Sequence, residues 1–210
     1  MFHKAHLIDT ASHEPINKIL NNIWLGNIES SNCKRLLNRN QINVVLRILS
    51  EPIDYFFDNN FITNNIKIRR FGNIICYIYI VNEIHYYHFN LKDALSQKDQ
   101  IINCLDVIAK IIDWLVTKDS SIRILVHCKR GHHRSASAII WYLVVYQNMS
   151  YQDALSLIWN NRRDAMRKYT KIGSVLYEMI CKQNNVKPHV YTHRIVGGCR
   201  CYFGPTSNNQ

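Results

Sequence analysis

The sequence lacks the features that would place it in a membrane or in a stapled extracellular scaffold. Its longest apolar runs, near Ile74–Val81 and Ala136–Tyr146, are too short to cross a bilayer. The first residues carry His and Lys and show no apolar core followed by a small-residue cleavage site, so no signal peptide is expected. The seven cysteines are odd in number and follow no framework spacing, which points to reduced thiols in a cytoplasmic setting. Acidic residues are few: 15 Asp and Glu stand against 26 Lys and Arg, a formal charge of +11. That balance favours anionic partners, yet the abundance of Asn and Ile equally suits an AT-rich coding bias, so charge alone decides nothing. No internal repeat is present.

What is there fits one α/β domain. With 210 residues the chain can bury a core without staples. Residues 1–20 show no clear period and read as a lead-in. Residues 21–185 read as the main domain, with strands at Ile23–Asn27, Ile42–Leu49, Tyr86–Leu91 and Ile122–Val126. Helices are expected after Ser96-Gln97-Lys98-Asp99 and after Ser150, each followed three residues on by an acid in the pattern of a capping box. Ser135–Tyr146 reads as a buried helix and Thr170–Lys182 as an amphipathic one. Alternating strands and helices predict a central mixed or parallel sheet flanked by helices. Residues 51–84 mix aromatics, Asn and Ile around Pro52 and Gly72 and read as an insertion with an extra hairpin. Residues 186–210 read as an appendage: a hairpin turning at Gly197-Gly198, then a disordered tail. His189, His193, Cys199 and Cys201 lie within it, and a hairpin explains them more simply than a zinc site.

The chemistry concentrates in Val126-His127-Cys128-Lys129-Arg130-Gly131-His132-His133-Arg134-Ser135, between a buried strand and a helix start. A loop so placed turns backbone N–H groups inward, and the helix adds its positive end, making an anion cradle. A cysteine on its floor feels the same field, which lowers a thiol from about 8.5 to roughly 3.5–7.5. Arg134 can grip two phosphate oxygens at once with its planar fork. Ser135 can donate its hydroxyl to the sulfur. Lys129, Arg130, Gly131, His132 and His133 complete the substrate-facing loop, four of them able to carry charge.

His-Cys, five residues, then Arg-Ser resembles the signature of the protein tyrosine phosphatase superfamily. Ile23-Trp24-Leu25-Gly26-Asn27, Ile42-Asn43-Val44-Val45-Leu46, Trp141-Tyr142-Leu143, Met149-Ser150, Asp153-Ala154-Leu155 and Asn161-Arg162 resemble its dual-specificity branch in order across residues 20–182. The resemblance implies hydrolysis of phosphomonoesters through a phosphocysteine on Cys128, with no cofactor and no metal. It also implies an Asp general acid from a separate loop. Asp93, after Tyr86–Lys92, is the expected acid. Asp99 is explained by helix capping alone. Phosphorylated protein is the expected substrate, with acidic sequence around the phosphosite. RNA 5′-triphosphate or a phosphoinositide is the alternative that the basic loop suggests, and a non-catalytic phosphoprotein-binding module is the rival of another class. No membrane partner is expected, nucleic acid is the weaker fit, and the appendage is expected to pack on the domain or on a second copy. Cys104 on the long predicted helix reads as a small buried residue rather than a redox partner.

Overall fold

The structure, a computed structural model, describes residues 15–57, 59–167 and 170–185. Among the described residues seven strands form one sheet: β1 (Ile16–Leu20), β2 (Ile23–Gly26), β3 (Val44–Leu49), β4 (Lys67–Phe71), β5 (Ile74–Val81), β6 (Ile84–Asn90) and β7 (Ile124–His127), of which β3, β5 and β7 are runs rich in Val, Ile and Leu. Their spatial order is β1-β2-β7-β3-β6-β5-β4. The middle strands β2, β7, β3 and β6 run parallel, while β1, β5 and β4 add antiparallel edges. β3 and β7 are buried at every position, as parallel strands covered on both faces must be.

Among the described residues seven α-helices accompany the sheet: α1 (Ile28–Asn32), α2 (Lys34–Arg39), α3 (Asn59–Asn65), α4 (Lys98–Lys118), α5 (Arg134–Tyr146), α6 (Tyr151–Asn161) and α7 (Lys171–Gln183). α5 packs against α4, α6 and α7, which explains why its sequence is apolar nearly all round. Ile139, Ile140 and Leu143 are wholly buried there, each contributing about 1.5–3 kcal/mol of transfer free energy. The indole N–H of Trp141 donates to Asp106 Oδ1 at 2.6 Å and pins α5 to α4. A second cluster on the other face gathers Trp24, Leu37, Val45, Ile53, Tyr79 and Tyr86. Among the described residues no helix is long and apolar enough to cross a membrane.

Ser150 caps α6 as the sequence implies: its Oγ accepts from Asp153 N–H at 3.1 Å and donates to the Asp153 carboxylate at 2.7 Å. Thr170 caps α7 through Gly173 N–H. The other expected capping box does not form. Leu95–Gln97 is a 3₁₀ turn closed by Gln97 N–H on the Ala94 carbonyl. Ser96 therefore sits inside the turn rather than in the extended backbone a cap requires, and α4 starts at Lys98 with no side-chain cap.

Residues 16–20, read as part of a lead-in, are instead strand β1, paired antiparallel with β2. Residues 51–84 hold a 3₁₀ turn at Ile53–Tyr55, helix α3 and a β4–β5 hairpin that turns at Gly72, whose φ of +59° suits glycine. The expected hairpin and tail at 186–210, with His189, His193, Cys199 and Cys201, lie outside the described residues.

Candidate active site

The loop of Cys128 joins the end of β7 to the start of α5, at the carboxyl edge of the parallel strands. Its conformation is imposed by what its carbonyls bind. The Lys129 carbonyl accepts from Ile28 N–H at 3.2 Å, and the His132 carbonyl from Met166 N–H at 2.9 Å. The Arg130 carbonyl accepts from Arg162 Nη2 at 3.0 Å. The His133 carbonyl takes the first helical bond of α5, from Ser137 N–H at 2.7 Å. A trans peptide aims the next residue's N–H opposite to its own C=O. Carbonyls drawn outward thus leave N–H groups facing the centre, where a dianion would sit. Gly131 is obligatory in this path. Its φ is +70°, and a Cβ there would lie 2.4 Å from the Gly26 carbonyl oxygen.

Cys128 is buried at the floor of this ring. The Ser135 hydroxyl donates to its Sγ at 3.3 Å. Burial is the largest single influence and pushes the thiol up. The Ser135 hydroxyl and N–H, the Arg134 charge and the His133 N–H together outweigh it and hold the thiol below its ordinary value. Cys76 and Cys104 show the contrast, since burial pushes each up to about 12. Cys104 lies in the core on α4 and behaves as a small apolar residue.

Arg134 opens α5 and donates through Nη1 to the Leu91 carbonyl at 3.1 Å. That bond ties the guanidinium to the segment carrying Asp93. Asp93 itself accepts through Oδ1 from Ile172 N–H, at the start of α7, at 2.7 Å. Asp99 lies in the first turn of α4. The structure thus links the Asp93 loop to Arg134 through the backbone at Leu91.

The loop's charge is smaller than its residues suggest. Lys129 and Arg130 are exposed. Lys129 Nζ lies 3.9 Å from Glu51 Oε1. His132 is held below the usual imidazole value by partial burial and by Arg162, so it carries less charge near neutral pH than a free imidazole. The His132 and His133 rings meet edge to face at 6.1 Å.

Three residues support the loop in ways the sequence reading did not assign, although Asn161-Arg162 figures in the family resemblance. Arg162, buried, bridges Asn17 Oδ1 of β1 (2.6 Å) and the Arg130 carbonyl. Met166 holds the His132 carbonyl from a left-handed backbone, φ 58°. Arg47 lies in register with His127 on β7 and with His88 on β6, so the three form one buried row. Its guanidinium donates to Tyr79 Oη (2.9 Å) and Asn32 Oδ1 (3.2 Å) and lies 4.7 Å from the centre of the Phe56 ring. Among the described residues no carboxylate pairs with it. Burial and Arg47 push His127 down to about 3 and His88 down to about 4. His127 is therefore neutral, with Nδ1 facing the Cys128 carbonyl at 3.3 Å. No local signal in the sequence marks these contacts. Among the described residues no three His, Cys, Asp or Glu side chains converge as a metal site requires.

Comparison with known proteins agrees with this arrangement. The family model described as dual specificity phosphatase, catalytic domain, matches residues 23–180. The human protein named dual specificity protein phosphatase 21 is 25% identical over 153 residues, covering 73% of this chain and 66% of that relative. The chain thus spans just under two thirds of the relative's length. In fold, the crystal structure of human DUSP28 is similar with a TM-score of 0.59 at 15% identity, over 81% of this chain and 96% of that one. A human tyrosine phosphatase-like serine/threonine/tyrosine-interacting protein is similar with a TM-score of 0.54 at 18% identity, over 80% and 97% of the two chains. The sheet order, the Cys128 loop and the family match agree: this chain belongs to the dual specificity phosphatase catalytic domain family.

Proposed function

We propose that the chain hydrolyses phosphate monoesters on proteins through a phosphocysteine formed at Cys128. One observation carries the reading. Of three buried thiols compared above, only Cys128 is held low, and the groups that lower it, the Ser135 hydroxyl and N–H, the Arg134 charge and the His133 N–H, belong to its own loop and the start of α5. The thiolate attacks phosphorus, and the bond to the leaving oxygen breaks as Asp93 gives that oxygen its proton. Arg134 and the loop N–H groups hold the three equatorial oxygens, whose charge grows in the transition state. Water then attacks phosphorus, Asp93 takes its proton, and the S–P bond breaks with the Ser135 hydroxyl donating to the departing sulfur. Asp93 holds the Ile172 N–H through Oδ1, so the transferred proton is assigned to Oδ2.

The protein substrate class is favoured over RNA 5′-triphosphate or a phosphoinositide by the loop's modest free charge. With Lys129 beside Glu51 and His132 held below the usual imidazole value, Arg130 is the main exposed cation of the loop. Cys33, Cys76, Cys104, Cys128 and Cys181 are free thiols, which supports a reducing, cytoplasmic setting. The fold alone does not separate an enzyme from a binding module, because a protein named as an interacting one shares it. The intact Cys128, Arg134 and Ser135 favour the enzyme.

The test has two arms. Wild-type protein should release phosphate from a small aryl phosphate, and Cys128→Ser protein should not, while retaining phosphopeptide. Phosphopeptides should exceed a phosphoinositide and a 5′-triphosphate RNA in kcat/KM. Turnover by Cys128→Ser overturns the mechanism, and a clear preference for lipid or RNA overturns the substrate class.

A further inference from the structure

The hairpin within residues 51–84 takes no part in the chemistry above, yet it builds a surface of its own. β4 is the last strand of the sheet, and among the described residues nothing pairs with its outer edge. All five of its residues, Lys67, Ile68, Arg69, Arg70 and Phe71, are exposed. Edge strands commonly carry Lys or Arg to discourage pairing, and three cations in five residues fit that role. The apolar neighbours do not. Ile68 is 53% exposed, Phe71 41%, Ile80 on β5 55% and Trp114 on α4 50%. A groove of about 820 Å³ runs between this hairpin and α4, floored by Ile78, Tyr87, Val107 and Ile111 and rimmed by Phe71 and Trp114. A blunted edge has no use for an open apolar groove beside it.

The charge selects the occupant. Arg69 and Lys110 line the groove, Lys67 shares its face through register with Ile78, and Arg70 stands on the opposite face of the same edge strand. The acid in the lining, Asp106, already accepts the Trp141 indole N–H. A second copy pairing through β4 would set three cations against three, and like charges across a strand pair are destabilising. Residues 186–210 hold Lys187, Arg194 and Arg200 and no Asp or Glu, so their side-chain charge has the same sign as the β4 edge and does not complement it. We propose that the β4 edge and the adjoining groove dock an extended acidic peptide segment of a partner protein. The peptide adds a strand to β4 through backbone hydrogen bonds. Its apolar side chains enter the groove between Phe71 and Trp114, where Arg69 attracts the peptide's overall negative charge, and its alternate side chains, the carboxylates, fall on the opposite face beside Arg70.

The inference stands apart from the Cys128 chemistry, so its test is separate. The probe is a fluorescein-labelled nonapeptide of alternating glutamate and valine, titrated against the full chain by anisotropy. Saturable binding is expected, weakening as salt shortens the screening length below about 8–10 Å. The double substitution Arg69→Glu, Arg70→Glu should weaken it by about tenfold or more, and Trp114→Ala by several-fold. Cys128→Ser protein should bind as tightly as wild type. Both surface variants should hydrolyse the aryl phosphate within about twofold of wild type, which shows an intact fold. A lysine–valine peptide should not bind. Absence of saturable binding overturns the proposal, as does equal binding by the surface variants. An RNA oligonucleotide that binds more tightly and loses affinity to the same substitutions replaces the peptide with nucleic acid. Self-association abolished by the double substitution replaces it with a second copy.

Discussion

Lowering the pH should destabilise this fold well above the range where carboxylates titrate, because His88 and His127 are buried neutral beside Arg47. Their imidazoles lie at about 4 and about 3 in the fold, against 6.5 in an unfolded chain. Between those values the unfolded chain binds the extra protons, so stability rises with pH and is lost as pH falls. The loss starts as pH drops through about 6.5 and continues to about 4 for His88 and about 3 for His127. At about pH 5 each imidazole is charged in the unfolded chain and neutral in the fold, which costs about 2 kcal/mol per histidine relative to about pH 7. Two of them remove about 4 kcal/mol from a domain whose total stability is about 5–15 kcal/mol. For a chain of this size that is a fall in Tm of about 8–16 °C. Urea unfolding of Cys128→Ser protein, followed by tryptophan fluorescence across this range, measures it. His88→Gln should remove about half of the pH dependence. A change below about 0.5 kcal/mol between the two pH values, or an unaltered slope in His88→Gln, refutes the buried-neutral assignment.

The remaining expectations concern the loop. Arg134→Lys should lower kcat/KM by about 10²-fold or more, since an ammonium cannot bridge two phosphate oxygens; steady-state hydrolysis of aryl phosphate reads it. Asp93→Asn should lower kcat by about 10²–10⁴-fold for poor leaving groups and far less for activated aryl phosphates. Its amide oxygen still accepts the Ile172 N–H, so Tm should hardly move. Gly131→Ala forces a Cβ to within 2.4 Å of the Gly26 carbonyl, so the loop must shift; kcat/KM should fall by more than about tenfold while the fold survives by circular dichroism. Arg162→Lys keeps the charge but loses the planar fork whose two arms reach Asn17 and the Arg130 carbonyl; KM should rise with kcat less affected, and urea stability should fall by about 1–3 kcal/mol.

What was legible in the sequence was what lies close together along the chain. Cys128, Arg134 and Ser135 fall within eight residues, and the strand before and the helix after declare themselves by composition. The central strands and the Ser150 cap were legible for the same reason. β1 was not, because a register shift between Lys18 and Leu20 breaks the period of two and buries Ile16 and Ile19 three positions apart. The β5–β6 hairpin was hidden by its turn. Asn82 and Glu83 both adopt positive φ, where a glycine second residue is the usual signal. The groups that shape the site from outside, Arg162, Met166 and Glu51, arrive by tertiary packing, and even where Asn161-Arg162 carries a family pattern it does not say what Arg162 binds. The loop's basic appearance misled for a related reason, since Glu51 and Arg162 alter what Lys129 and His132 contribute.

Met166 shows how firmly that outer frame is set. A left-handed backbone at a non-glycine residue costs of order 1–2 kcal/mol, and it persists only where surrounding contacts determine it. Here several do. Its N–H binds the His132 carbonyl, its sulfur receives the Ser137 hydroxyl at 3.6 Å, and the preceding Ala165 carbonyl is held by the Trp159 indole at 2.7 Å. One residue thereby joins the loop, α5 and the end of α6. The N–H groups that would meet a phosphate are aimed before any ligand arrives, because their own carbonyls are already engaged from behind. Donors fixed in this way need not reorganise as charge grows on the phosphoryl oxygens. The cradle is thus a property of β1, α1 and the segment after α6 as much as of the loop itself. Substitutions at Asn17, Arg162 or Met166 should therefore alter the chemistry proposed for Cys128, to which Arg162 also couples by charge.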